Sequence, residues 1–358
     1  MIQSRLDTVL ENMREMGIPQ LLVTDPVSIY YLTGRGIEPG KRYLGLYLAM
    51  SGAHKIFLNK LFVVPEDLGV EKVWFSDSAD SAQLVAGYTD HQPLGVDKMM
   101  QARFLLPLME RHAASGYVSA SGCVDAARMI KDGEEIIRMR RASAINDEAM
   151  GRLIRHFRKG VTEKEMAETL AGIYKELGAD GFSFEPIIAF AGNGAEGHHE
   201  LDDTKLKEGD SIVVDIGCKK DGYCADMTRT FFYKTADPKY AQVFDIALRA
   251  NEAAEAVVKP GARFCDLDRT ARGMIEEAGY GPCFPHRLGH NIGLEVHEPG
   301  DVSSANANTV QPGMIFSIEP GIYLSGEMGV RIEDLVLVTE TGCELLNHFP
   351  KTMTVLED

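Results

Sequence analysis

The sequence predicts an α+β fold in two parts: a smaller α/β unit over 1–125, then a larger unit over 126–358. Three features carry this. Short β-branched runs and amphipathic segments alternate through the first part. Helix pairs precede hairpin-like apolar runs in the second part. From His286 onward the chain is β-rich and punctuated by Gly and Pro turns.

Residues 4–17 place Leu6, Val9, Leu10, Met13 and Met16 at helical spacing, a helix with one buried stripe. LLVT (21–24) reads as a strand and 43–59 as strand–turn–strand. KVWFS (72–76), a helix over 81–86, LGVD (94–97), a helix over 102–114 and YVSA (117–120) continue the alternation, enough for a separate core. His54, His91 and His112 stand singly there, with no catalytic constellation. MIKDGEEIIRMRRASAINDEAMGRLIRHF (129–157) reads as one long helix whose charges mostly avoid the Ile136, Met139, Ala142, Ile145 stripe. Thr162 and Glu165 make a capping box for a second helix to about Leu177, and FSFEPIIAFAG (182–192) reads as a strand. After a hairpin at 211–233 come helices near 239–258 and 266–278, the latter with Asp266 as N-cap. HRLGHNIGLEVHE, MIFSIEPGIYL and VRIEDLVLVTE then read as strands. Two helices and a hairpin, twice over, suggest an internal duplication, though no residue-level repeat marks it.

With 358 residues, 45% hydrophobic and 25% charged, the chain can bury a large core. A net charge of −16 argues against sequence-independent nucleic-acid binding, which needs a surplus of Lys and Arg. The six cysteines are scattered without a CxxC pair, as buried thiols of a reducing compartment would be. The N-terminus is amphipathic rather than apolar, and no run approaches a membrane span. A cytoplasmic protein without membrane association is expected.

The informative stretch is SIVVDIGCKKDGYCADMTRTFFY (211–233), two apolar β-branched runs around a short polar turn. It carries Asp215 on one arm and Asp226 on the other. A turn centred on Lys220–Asp221 would oppose the two carboxylates across the ladder, where like charges repel and a cation is needed. Three further clusters interrupt apolar runs: His286, His290 and His297 in HRLGHNIGLEVHE, Glu319 after MIFSI, and Glu333 in VRIEDLVLV. Glu319 and Glu333 flank the turn around 326–329 and could oppose each other in turn. Singly, each has an ordinary reading: Asp215 or Asp226 as turn chemistry, Glu333 as a partner of Arg331, the histidines as satisfied core residues. Together, unpaired carboxylates in a core would cost too much. Oxygen-rich ligation with one imidazole suits Mn²⁺, Fe²⁺, Co²⁺ or Zn²⁺. Four carboxylates exceed what one ion takes, which favours two.

At this point VVDIG, DGYCADMTRT, HRLGHNIGLEVHE, SIEPGIY and GVRIEDLVLVTE, in this order and spacing, resemble the metallopeptidases of pita-bread fold, which include Xaa-Pro aminopeptidase, prolidase and methionine aminopeptidase. The resemblance spans the chain. It implies a pita-bread domain, an antiparallel sheet with covering helices in two pseudo-related halves, behind a creatinase/prolidase-type N-terminal domain. It also implies two divalent ions per chain, with Mn²⁺ the leading candidate. Asp215 would chelate one ion, Asp226 and Glu333 would bridge both, and His290 and Glu319 would hold the other. His198 would contact the scissile bond on the leaving-nitrogen side, and His297 the substrate carbonyl. His286 resembles a substrate-side histidine, Arg331 a residue pairing near the bridging glutamate, and Arg287 a form associated with dipeptide cleavage. The reaction implied is hydrolysis of an Xaa-Pro bond in a dipeptide or short peptide, by water activated between the ions with Glu319 moving its proton. A homodimer is expected.

Two departures stand out. Asn291 replaces the glycine usual after the ligand histidine, and HHELDDTKL (198–206) replaces a histidine–glycine stretch. The second leaves room for an alternative, a metal-dependent lyase or hydrolase acting on a small molecule in the same fold.

Overall fold

The computed structural model describes residues 1–358, and the chain divides into two compact units, Met1–Arg128 and Met129–Asp358. In the first, strands β1 (Gln20–Val23), β2 (Gly45–Ala49), β3 (Lys55–Asn59), β4 (Glu71–Phe75), β5 (Pro93–Val96) and β6 (Gly116–Ser119) form one mixed sheet in the order β4-β3-β2-β1-β5-β6. Helices α1 (Gln3–Glu15), α2 (Pro26–Thr33), α3 (Ser81–Ala86), α4 (Ala102–Glu110) and α5 (Gly122–Met129) accompany it. β1 and β2 are buried at every residue, as strands covered on both faces are.

Sequence reading left α2 unassigned. Its interior, VSIYYLT, is β-branched and aromatic, which favours strands. The ends decide otherwise. Asp25 accepts from the backbone N–H groups of Val27 and Ser28, Pro26 takes the first helical position, and Gly34 at φ 68° closes the C-terminus.

In the second unit, α6 (Gly133–Leu153) and α7 (Glu163–Leu177) precede β7 (Gly181–Phe182), β8 (Ile187–Phe190), β9 (Ser211–Ile216), β10 (Cys218–Lys220), β11 (Tyr223–Cys224) and β12 (Met227–Tyr233). α8 (Pro238–Ala256) and α9 (Phe264–Glu277) precede β13 (Gly289–Asn291), β14 (Glu298–Val302), β15 (Ile315–Ile318), β16 (Gly321–Leu324), β17 (Met328–Arg331), β18 (Asp334–Val338), β19 (Cys343–Leu345) and β20 (Val355–Leu356). The first helix pair shares a core with the sheet β20-β12-β9-β8, through Met150, Leu170, Ile188, Val214 and Phe231. The second pair does the same with β14-β13-β15-β18-β19, through Phe244, Leu267, Phe316 and Val336. Each helix pair thus covers its own sheet, and the repeat suggested by element order is an architectural one.

Several boundaries differ from the sequence reading. The helix assigned to 129–157 starts at Gly133, because Asp132 and Glu135 form a capping box. Ile130 instead bridges to Met314. The single strand read at 182–192 is two strands in different sheets, separated around Pro186. Asp266 is not the N-cap of α9. The helix begins at Phe264, and Asp266 lies in its first turn, paired with Arg263 and Arg269, each at 2.8 Å.

The main correction concerns the 211–233 hairpin. Its two-residue turn is Asp221–Gly222, both at positive φ (51° and 83°), between the paired residues Lys220 and Tyr223. That is the primed turn favoured by an Asp-Gly dipeptide. Moving the turn by one residue shifts every cross-strand pair by two. Asp215 therefore faces Thr228, not Asp226. Because side chains alternate, Asp226 stays on the same face as a diagonal neighbour of Asp215. Gly222→Ala places a Cβ in the left-handed region. It should lower stability by about 1–2 kcal/mol, seen as a lower denaturant midpoint with unchanged slope.

Candidate metal centre

Strand register and cross-links between hairpins assemble the cluster. The same register runs through β15–β18 and β16–β17, with Ile318 opposite Asp334 and Gly321 opposite Arg331. Glu319 and Glu333 lie between these pairs at opposed positions. Pro320 lacks an N–H and interrupts the ladder there, which frees both segments for other partners. The Glu319 N–H donates to Leu288 O at 2.8 Å, beside the strand of His290. The Glu333 N–H donates to Thr228 O at 3.1 Å, beside Asp226. The second hairpin is thereby fastened to both other strands that carry residues of the cluster.

His198, Asp215, Asp226, His286, Arg287, His290, His297, Glu319, Arg331 and Glu333, the ten residues singled out from sequence, all line one cavity of about 690 Å³. The side-chain donor atoms of Asp226, His290 and Glu333 lie within 4.8 Å of one another. His290 Nε2 is 3.4 Å from Glu319 Oε1 and 3.6 Å from Asp226 Oδ2. His290 Nδ1 lies 3.2 Å from Asn291 O. A carbonyl only accepts, so that contact assigns the ring proton to Nδ1 and leaves the Nε2 lone pair facing the carboxylates.

Hydroxyls hold the acids: Thr228 Oγ1 donates to Glu333 Oε2 at 2.7 Å and Ser317 Oγ to Glu319 Oε1 at 3.1 Å. Arg331 pairs with Asp215, Nη2 to Oδ2 at 2.6 Å, rather than with Glu333, and reaches Thr228 Oγ1 through Nε at 3.1 Å. Arg331 thus stays near Glu333, as expected from the sequence, but through the Thr228 hydroxyl that donates to that glutamate, while its direct ion pair is with Asp215 on β9. Its Nη1 donates to Tyr323 Oη at 2.9 Å. With that oxygen accepting from Arg331, the Tyr323 hydroxyl donates to His286 Nε2 at 2.9 Å, while His286 Nδ1 gives its proton to Arg287 O at 2.7 Å. Both ring nitrogens of His286 are therefore engaged by the protein. Arg287, His198 and His297 are exposed along the cavity.

Asn291 needs no left-handed backbone, although its Oδ1 is buried without a hydrogen-bond partner. It lies in β13 outside the left-handed region, and its Nδ2 donates to Pro299 O at 2.9 Å.

Four buried or half-buried carboxylates thus share a single guanidinium. Desolvation, then repulsion from Glu333, Asp215 and Glu319, raises the Asp226 carboxyl well above its ordinary range. Glu333 is raised likewise, by burial and then by Glu319 and Asp215. Burial pushes Glu319 up to about 7. Burial also lowers His290 to about 3 and His286 to about 4, keeping both neutral. Asp215 Oδ1 is buried and receives no hydrogen bond, an acceptor left open. An oxygen-rich donor set with one neutral imidazole, surplus negative charge and an open acceptor fits a divalent cation.

Thr228, Ser317 and Tyr323 were missed from sequence. Strand alternation contains the signal for Thr228, which shares a face with Asp226 two residues before it. Ser317 shares a face with Glu319 in the same way. Tyr323 follows from nothing in the sequence but its position after SIEPG.

Fold and site together define a metal-dependent hydrolase. The chain belongs to metallopeptidase family M24, matched over residues 137–340, with a creatinase/prolidase N-terminal domain matched over 5–130. An uncharacterized peptidase of Staphylococcus aureus is 32% identical, covering 97% of this chain and 100% of its own length. The dipeptidase PepE from Mycobacterium ulcerans superimposes with TM-score 0.92 at 34% identity, over 99% of this chain and 98% of that one. A recombinant prolidase from Thermococcus sibiricus does so with TM-score 0.91 at 32% identity, over 99% of each chain. The second unit is the pita-bread fold, and the first the creatinase-like domain, that the motifs led one to expect. No helix is long and apolar enough to cross a membrane.

The raised carboxyls set a pH dependence for metal-free protein. The folded cluster retains protons that an unfolded chain releases above about pH 4, so stability falls as pH rises toward the folded values. The lowered histidines act only below about pH 6.5, their unfolded value, so higher pH isolates the carboxyls. Between pH 6.5 and 8 the melting temperature of chelated protein should fall, and saturating Mn²⁺ or Co²⁺ should flatten the slope. Glu319→Gln should reduce it in the chelated form. Calorimetry at fixed ionic strength checks this.

Proposed function

We propose that this metallopeptidase is an Xaa-Pro dipeptidase holding two divalent ions, Mn²⁺ foremost and Co²⁺, Zn²⁺ or Fe²⁺ as alternatives. Asp215, Asp226, His290, Glu319 and Glu333 would ligate them, with Asp226 and Glu333 shared. The observation that carries the reading is the carboxylate surplus at one wall of a cavity whose exposed wall carries His198, His297 and Arg287. Relatives named as dipeptidases and prolidases support the substrate class. Divalent ions bound there would polarise a carbonyl oxygen and bring the pKa of water toward neutrality.

The rest falls to side chains. His297 donates to the carbonyl oxygen as it gains negative charge. Glu319, the one acid of the four that is not fully buried, takes the proton of the attacking water and delivers it to the departing imino nitrogen. His198 contacts that nitrogen. An Xaa-Pro bond has no N–H and a fixed proline φ, so recognition rests on the ring and the chain ends. Phe184, Ile187 and Val296 offer an apolar surface in the cavity, and Arg287 offers a cation for the proline carboxylate.

The test is hydrolysis of Gly-Pro, Ala-Pro and a longer Xaa-Pro peptide by chelated protein reloaded with Mn²⁺ or Co²⁺. Cleavage of the dipeptides above the longer peptide is expected; absence of cleavage by metal-loaded protein overturns the reading. Asp226→Ala and Glu333→Ala should each abolish turnover and reduce bound metal. His297→Ala should keep the metal yet lose about 10²–10³ in kcat, the usual effect of one oxyanion donor.

A further inference from the structure

Outside the metal cluster, one buried acid is surrounded by donors. Glu163, the first residue of α7, is fully buried, and its carboxylate accepts four hydrogen bonds. Oε1 receives the Phe190 N–H at 2.9 Å and Asn193 Nδ2 at 3.0 Å. Oε2 receives His199 Nε2 at 2.7 Å and the Asp202 N–H at 3.2 Å. Glu163, His199 and Asp202 together resemble a ligand set. Two donors on each Glu163 oxygen, however, fill its lone pairs and leave no acceptor for an ion.

All four donors come from one excursion of chain, which leaves β8 at Phe190 and returns at Lys205 and Leu206. Its far end is fixed beside the same helix start. The Gly160 N–H donates to Leu206 O at 2.9 Å, the Leu206 N–H to Val161 O at 3.0 Å, and Thr162 bridges to Lys205. Asn193 extends the knot to Asp202 Oδ2 at 3.3 Å and Thr204 Oγ1 at 3.1 Å. The capping box of Thr162 and Glu165 fixes the helix start itself, and the positive end of α7 favours an anion there. Next to the buried His199 stands the exposed, cavity-lining His198, and Gly197 O accepts from Arg331 Nη1 at 3.4 Å.

We propose that Glu163 is a positioning residue: its carboxylate clasps the 190–204 segment through His199, Asn193 and the backbone N–H groups of Phe190 and Asp202, and so aims His198 into the catalytic cavity. The inference rests on the peptidase reading for what His198 does. The clasp is a matter of this chain's own hydrogen bonds. A fully satisfied buried network fixes a loop where a partly satisfied one does not.

A double-mutant cycle on metal-loaded protein tests it. Glu163→Ala should lower kcat on Ala-Pro on the order of 10²-fold, the effect of a roughly 1 Å misplacement, with bound metal unchanged. Glu163→Gln, which keeps an oxygen acceptor for Phe190 and Asn193 but turns an NH2 group toward the donors of His199 and Asp202, should recover only part of the loss. In a His198→Ala background, Glu163→Ala should cost less than about twofold. Equal losses in both backgrounds overturn the proposal. Amide exchange on metal-free protein is the second readout: faster exchange over 190–204 with β9 and β12 still protected is expected. Unchanged exchange overturns the clasp whatever the substrate. If wild-type protein leaves Ala-Pro intact, the peptidase reading falls while exchange still decides the clasp. Should Glu163→Ala not fold, His199→Ala removes one of the four donors. It should show the same dependence on His198, with a loss of about tenfold.

Discussion

The repulsion among Asp215, Asp226, Glu319 and Glu333 is the constraint on which the second unit turns. Four carboxylates meet one guanidinium and a neutral imidazole in a setting that strips them of water. Neither hydrophobic packing nor strand pairing can make that favourable. What the fold supplies is rigidity. Each acid sits in or beside a strand whose backbone is tied to a second strand, and hydroxyls or Arg331 fix three of the four side chains. The cluster is held against its own repulsion, which is the condition for strong attraction to a cation.

The same economy explains the layout around it. Arg331 neutralises only Asp215 and, through Tyr323, begins a line of hydrogen bonds that ends at His286. His286 is thereby locked as a neutral ring with both nitrogens engaged, so it shapes the cavity wall. His198 and His297 are instead exposed along the cavity, His297 with its ring edge-to-face on that of His290 at 4.3 Å between centroids.

Much of this was legible in the sequence, for a physical reason. Polar residues of metal-ligating type interrupting apolar runs are costly, so their presence in five separate runs marks a site. That Glu319 and Glu333 could oppose each other is suggested by their flanking the turn around 326–329, while the register that opposes them is centred on Gly326. In the first hairpin a turn centred on Lys220–Asp221 and one on Asp221–Gly222 differ by a single residue, and only the latter is the dipeptide that tolerates two positive φ values. Helix α2 escaped because its information lies in its caps rather than its periodicity. Arg331's partner and the bonds at Glu163 escaped for another reason. They depend on where chain segments meet in space, and no local pattern encodes that.

The tie from Glu333 N–H to Thr228 O has a consequence for the order of events in folding. Apart from β20, which joins β12 from the far end of the chain, each helix pair closes over strands near it in sequence, whereas this bond and that of Thr228 Oγ1 to Glu333 join residues 105 positions apart. Long closures carry the larger entropic cost and come later. Asp226 and Glu333 therefore meet only once both halves have docked. An ion held by both carboxylates, as proposed, would report finished tertiary structure, since a nascent or half-folded chain would have no competent place to hold it.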